Sequence, residues 1–245
     1  MSMNTYKALG VIAAALLFGS AHASIVLGGT RVIYKSGDRD VSVALTNQGD
    51  QPALVQAWMD DGQASASPET VSVPFVLTPP ISRVDPKQNQ TLRLVYTGEA
   101  LPIDRESVFW LNVLEIPPKP SLEAGANTLQ FAIRTRIKVF FRPKELTGDP
   151  RTVAAQLQWR PAPSAPFSVL AKNPSPYYMS IGDMHLVVDG KPVGKAMQGM
   201  LPPFGELTFS AVPDNAPITG VPTSVQYKVI DDFGAFVEAD VPIAK

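Results

Sequence analysis

The sequence predicts an all-β chain built as two β-sandwich domains, and three observations carry that expectation. Short segments of alternating apolar and polar residues recur from one end of the chain to the other, the pattern of strands with one buried face. The 24 prolines and 17 glycines fall largely between those segments, where they close turns. No segment sustains an apolar period of 3.6 residues, and proline at this density interrupts long helices.

In chain order, the first half offers strands at 24–37 (SIVLGGTRVIYKSG), 40–47 (DVSVALTN), 53–61 (ALVQAWMDD), 75–80 (FVLTPP), 90–98 (QTLRLVYTG) and 107–116 (SVFWLNVLEI). Stretches such as NQGDQP, DGQASASPET and DPKQNQ separate them as turns. The seventh, 128–144 (TLQFAIRTRIKVFFRPK), runs about twice the usual strand length. Its odd positions are Leu129, Phe131, Ile133, Thr135, Ile137, Val139 and Phe141, while its even positions include Arg134, Arg136, Lys138 and Arg142. On pattern alone, the odd stripe packs into the domain's own core and the cations form a solvated face. Seven such strands read as an immunoglobulin-like sandwich.

Residues 145–152 (ELTGDPRT) read as a linker. Beyond it, VAAQLQWR, FSVLAKN, YYMSIGDMHLVV, ELTFSAV, TSVQYKVID and AFVEADVPI are again strand-like pieces between turns, which makes a second sandwich. The expected division is 24–146 and 147–245.

Residues 1–23 have the layout of a cleavable secretory signal: one cation (Lys7), an apolar run from Ala8 to Phe18, and small residues at Ala21 and Ala23. The run is shorter than the ~20 residues of a membrane span, so the expectation is export with cleavage before Ser24, and no membrane insertion. Removing Lys7 with that segment leaves 20 basic against 22 acidic residues, which gives no reason to expect nucleic acid as a partner. The chain has no cysteine, so burial alone must stabilise it, and thiol catalysis and thiolate metal sites are excluded.

Of the two histidines, His22 falls in the expected signal and His185 lies alone in a strand-and-turn pattern (GDMHLVVDG). A serine-histidine-aspartate triad and a zinc site both lack partners, and GGTRV has neither the lysine nor the helix of a phosphate loop. Asp60 and Asp61 are the obvious carboxylate pair for a glycosidase, but adjacent strand residues point to opposite faces. The expectation is a binding protein without cofactor or metal, and not an enzyme. A secreted immunoglobulin-like adhesin or structural component is the alternative.

Six motifs, in order and spread over both halves, resemble those of the PapD-like periplasmic chaperones of pilus assembly. They are AWMDD (57–61), LTPP (77–80), LPIDRESVFWLNVLEIPP (101–118), IKVFFRP (137–143), NPSPYY (173–178) and IDDFG (230–234). The resemblance implies two immunoglobulin-like domains set at an angle around a cleft, in a periplasmic protein. It also implies donor-strand complementation, in which the chaperone lends a strand (128–142) to an incomplete pilus subunit and hands the subunit to an outer-membrane usher. Leu129, Phe131 and Ile133 match the residues that enter the subunit's groove. Arg31 and Lys138 match the cations that hold its C-terminal carboxylate, and Glu106, Arg142 and Asp232 match an interdomain salt-bridge network. A self-capping homodimer is a further partner state. Arg134 and Arg136 keep the solvated reading, and Lys138 has the opposite parity to the stripe, which a twist or bulge would have to reconcile. Without cysteine the second-domain disulfide of some relatives cannot form. The short loop between Ile116 and Leu129 resembles that of the subclass serving rod-like pili.

Overall fold

Alternating burial divides the chain, described over residues 24–118, 130–162, 167–214 and 217–244 of the computed structural model, into two β-sandwiches with separate cores. The first holds β1 (Ile25–Leu27), β2 (Arg31–Lys35), β3 (Val41–Asn47), β4 (Ala53–Asp60), β5 (Phe75–Thr78), β6 (Ile81–Val84), β7 (Asn89–Tyr96), β8 (Ser107–Ile116) and β9 (Ile133–Arg142). One sheet runs β1-β3-β7-β5 and the other β2-β9-β8-β4-β6. Val43, Leu45, Leu92 and Leu94 of the former face Leu111, Val113 and Val139 of the latter, every second residue pointing inward. An aromatic cluster of Tyr34, Phe75, Tyr96 and Phe141 closes one end, with Tyr96 and Phe141 ring centroids 4.5 Å apart.

The expected strand over 24–37 is two strands in opposite sheets. At Gly28 and Gly29 the chain leaves β3, its antiparallel partner through β1, and crosses to run parallel with β9 as β2. A run of uniform strand character does not reveal such a crossing. The short edge strand β6 was not among the expected segments.

The second half holds α1 (Pro150–Val153), a 3-10 turn (Ala154–Gln156), β10 (Gln158–Pro161), β11 (Ser168–Lys172), β12 (Met179–Val188), β13 (Lys191–Val193), β14 (Gly199–Leu201), β15 (Glu206–Ser210), β16 (Ser224–Ile230) and β17 (Phe236–Pro242). β10-β11-β15 make one sheet, and β13-β12-β16-β17, with β14 also on β12, make the other. Trp159, Met184, Leu186, Leu201 and Val225 fill the core between them. The expected strand VAAQLQWR is helical at its start: the Asp149 side chain caps the helix by accepting from the Arg151 backbone N–H (2.9 Å), and Pro150 opens the first turn.

Strand β9 fixes the geometry that matters. Along one side it pairs with β8 from Ile133↔Glu115 to Phe141↔Ser107 in unbroken register. Along the other, β2 covers only Lys138 to Arg142. Among the described residues, the half of β9 from Ile133 to Ile137 therefore has an open edge, with unpaired backbone groups.

Candidate functional site

The described part of the long strand begins at Ile133, not at residue 128: Gln130, Phe131 and Ala132 are outside any strand, and Leu129 lies outside the described residues. On the inner face Ile137, Val139 and Phe141 are buried in the first core, whereas Ile133 is 40% and Phe131 67% exposed. Beside the open edge a cleft of about 330 Å³ is bounded by Gly28, Gly29, Arg31, Val43, Ala44 and Ile137. The apolar stripe thus leaves its own core as it leaves the shelter of β2.

Arg31 and Lys138 stand directly opposite each other across the parallel β2–β9 pair, at the point where the open edge ends. Arg31 donates from Nη1 to the Ile230 carbonyl (2.8 Å) and lies 5.8 Å from the Phe140 ring centroid; Lys138 Nζ is 3.1 Å from the Ser180 hydroxyl. Both hydrogen bonds reach into the second domain. Neither cation is in salt-bridge contact with a carboxylate among the described residues, and Arg31 Nε is buried without a partner. Burial lowers the Lys138 ammonium pKa, and the neighbouring Arg31 charge lowers it further. Burial likewise lowers Arg31, against the more distant charges of Asp232, Asp231 and Glu106.

Arg142, farther along the same face, is saturated. Its Nη1 and Nη2 grip Asp232 in a fork (2.7 and 2.8 Å), and its Nε donates to Glu106 Oε1 (2.7 Å). Glu106 also accepts from the backbone N–H of Tyr178 (2.8 Å) and donates its own backbone N–H to Pro176 (2.9 Å). Burial would lower the Arg142 pKa, but the two carboxylates outweigh it and raise it. Glu106 and Arg142 belong to the first sandwich and Asp232, Pro176 and Tyr178 to the second, so this network spans the junction, where Phe140 also packs against Tyr178 at 5.8 Å.

Arg134 and Arg136 do not form a solvated face. Arg136 forks onto Asp60, with Nε 3.0 Å from Oδ2 and Nη2 on Oδ1, and Asp60 is fully buried. Asn112 Nδ2 and the Gly62 backbone N–H, each 2.7 Å away, complete the carboxylate's shell. Arg134 donates to Asn112 Oδ1 (2.9 and 2.6 Å) and to the Ala64 carbonyl (2.6 Å). The guanidinium groups lie over Trp58 (4.9 Å) and Trp110 (4.6 Å). Gly62 has φ +117, which lets the chain fold back over Trp110 and aim its N–H at Asp60. Burial would raise the Asp60 pKa, but hydrogen bonds from Arg136, Asn112 and Gly62 hold it below the usual aspartate value. The neighbouring Asp61 is exposed, so no carboxylate pair converges there.

His185 lies on the outer face of the second sandwich, its Nε2 3.2 Å from Asp183, in a groove of about 450 Å³. Among the described residues no three metal-ligating side chains come together.

Residues 24–147 match the profile of the PapD N-terminal domain of pili and flagellar-assembly chaperones, and residues 152–240 that of the PapD C-terminal domain of pili assembly chaperones. The chain belongs to the PapD-like pilus-assembly chaperones. It is 45% identical over 242 residues to the chaperone protein FimB/FhaD of Bordetella pertussis, covering 97% of this chain and 95% of that one. It is 44% identical over 225 residues to the probable fimbrial chaperone YadV of Escherichia coli K12, covering 90% of each. Among solved structures, the CupB2 chaperone of Pseudomonas aeruginosa superposes with a TM-score of 0.74 at 36% identity, over 89% of this chain and all of the other. The SafB chaperone of Salmonella enterica, solved in complex with the SafA pilin, gives 0.74 at 30% identity, over 92% and 99%. In this chaperone the structure brings Arg31 together with Lys138, and Arg142 with Glu106 and Asp232. Asp60 and Asn112 carried no sequence signal of a structural role beyond their place in AWMDD and FWLNV.

Proposed function

We propose that this chaperone acts in the periplasm, captures pilus subunits by lending them the open-edged half of β9, and passes them to an outer-membrane usher. The open edge from Ile133 to Ile137 is the observation that carries the reading, because unpaired backbone groups next to exposed apolar side chains suit strand addition. Phe131 and Ile133, with Leu129 before them, fill the subunit's open core. Fully burying three such side chains contributes about 5–9 kcal/mol before ordering costs. Arg31 and Lys138 receive the subunit's C-terminal carboxylate, each charge-assisted bond adding about 1.5–3 kcal/mol. The Glu106–Arg142–Asp232 network holds the angle between the domains. Residues 1–23 direct export and are cleaved off in the process, and a second copy pairing along the same open edge is the self-capped state of the free chaperone.

The test is a subunit carrying two extra C-terminal residues, or a C-terminal amide, co-purified with the chaperone from periplasm. The anchor reading expects capture to fall about tenfold or more for both. It also expects no further loss when Lys138→Ala is added, because one interaction cannot be lost twice. Undiminished capture of the amide refutes the anchor, and capture that survives deletion of the chaperone's residues 128–133 refutes strand donation.

A further inference from the structure

Glu115 is an inward-facing carboxylate at the open end of the first sandwich, only 9% exposed, in the row Val55–Glu115–Ile133 across three strands. Among the described residues no lysine or arginine is in ion-pair contact with it. Its hydrogen bonds come instead from the start of β1. The Ser24 backbone nitrogen is 3.3 and 3.1 Å from the two carboxylate oxygens, the Ile25 N–H is 3.0 Å away, and the Ser24 hydroxyl also donates. Ser24 is held from behind as well: its carbonyl accepts from Gln48 N (2.7 Å), and Gly49 leaves no room for a Cβ, which would stand 2.6 Å from Ser24 Cβ.

A buried carboxylate met only by neutral donors is costly, because nothing balances its charge. Ser24 is also the residue at which the sequence places signal cleavage. Hydrolysis of the Ala23–Ser24 bond leaves a carboxylate on the released peptide and an ammonium on Ser24. That ammonium has an ordinary pKa near 8, so it is charged at neutral pH, and it donates where the amide offered one N–H. We infer that Glu115 is the docking site for the processed amino terminus, and that cleavage completes an ion pair the precursor lacks. The inference rests on the reading that residues 1–23 are removed. The pair ties β1, in one sheet, to β8, in the other, beside the first residue of the open-edged half of β9. Processing thus stiffens the end of the sandwich from which the strand is lent.

Two chains test this, each with and without Glu115→Gln: the protein purified from periplasm, and a cytoplasmic chain beginning Met-Ala-Ser24, in which the nitrogen of residue 24 remains an amide. Intact mass first establishes where the periplasmic chain begins; a start other than Ser24 overturns the cleavage reading and this inference with it. If it begins at Ser24, Glu115→Gln should lower its Tm by about 5 °C or more and that of the extended chain by less than half as much. Equal losses in the two chains overturn the inference alone. Acylation of the native wild-type chain by an amine-reactive ester reads the same contact without a mutation. The Ser24 amine should react about tenfold more slowly than after denaturation. Reaction at the denatured rate overturns the inference.

Discussion

The two halves of β9 should respond oppositely to the same chemical change, and isoleucine or valine to threonine is the cleanest probe. Threonine keeps a β-branched side chain and strand propensity, and adds one hydroxyl. Aspartate is less suitable at position 133, because Glu115 lies directly opposite and a second carboxylate there would repel it. Val139 is fully buried, so Val139→Thr strands a hydroxyl in the first core and costs about 1–3 kcal/mol. At about 4–8 °C per kcal/mol for a small domain, the first sandwich should melt several degrees lower or more. Ile133 is 40% exposed. Full burial of such a side chain is worth about 1.5–3 kcal/mol, so its present share is about 1–2, of which threonine keeps roughly half. The free chaperone should therefore lose less than about 1 kcal/mol. In a subunit's groove the same hydroxyl is fully desolvated, and capture should weaken by about 1–3 kcal/mol, roughly fivefold to 150-fold. Thermal melts of both free variants, with pull-down of one subunit at graded concentrations, decide it. Should Ile133→Thr melt as low as Val139→Thr and still capture subunits normally, the strand-donation argument is wrong.

Other consequences can be checked in the same preparations. Arg31→Ala and Lys138→Ala should each fold as well as wild type, since each removes a desolvated charge, yet lose capture about tenfold or more in the pull-down. Because the free Lys138 pKa is lowered and a bound carboxylate would raise it, capture should take up a proton and weaken as pH rises through the lowered value; a flat alkaline profile by calorimetry would count against this. Asp60 has a depressed pKa, so it contributes stability above the ordinary aspartate value that is lost on acidification; Asp60→Asn should destabilise the first sandwich and flatten its melting curve against pH below about 4. Arg142→Lys cannot fork onto Asp232 while also reaching Glu106, so small-angle scattering should report a changed interdomain angle with each domain's own melt nearly unchanged.

Strand character, turns and the two-sandwich architecture were readable because burial in each sheet follows the period of two. What escaped was whatever depends on which strands become neighbours. Arg134 and Arg136 read as solvated cations because their partners, Trp58 and Asp60 on β4 and Trp110 and Asn112 on β8, are distant in sequence, and only register sets them on one face. The crossing at Gly28 and Gly29 was hidden for a similar reason, since both of its halves are good strands. The helical turn did carry a signal: aspartate before proline is a cap followed by a first-turn residue, although 145–152 reads as a linker and 153–160 as a strand. The pairing of Arg31 with Lys138 was legible only through motif resemblance, because nothing in a lone lysine on an alternating strand marks which residue will stand opposite it.

That pattern of pairing bears on the parity of the stripe. Four cations stand on the outer face of β9, at 134, 136, 138 and 142, and three are occupied. Arg134 and Arg136 are tied to Asn112 and the buried Asp60, and Arg142 to Glu106 and Asp232. Among the described residues the fourth, Lys138, hydrogen-bonds only the Ser180 hydroxyl, and Arg31 opposite it only the Ile230 carbonyl, with the Phe140 ring beside its guanidinium. Among the described residues Lys138 is thus the cation of this face with no carboxylate in ion-pair contact. Nor is a bulge needed to bring the stripe and Lys138 together, since β8 and β9 keep register throughout. A strand added along the open edge bonds in the plane of the sheet, at right angles to both faces. In the proposed capture that strand's protein fills its core with the inner stripe, and the strand cannot extend past the point where β2 occupies the edge. That stop is the Arg31–Lys138 pair. Among the described residues the open edge ends at this pair, which is the geometry that the proposed capture of a C-terminal carboxylate requires.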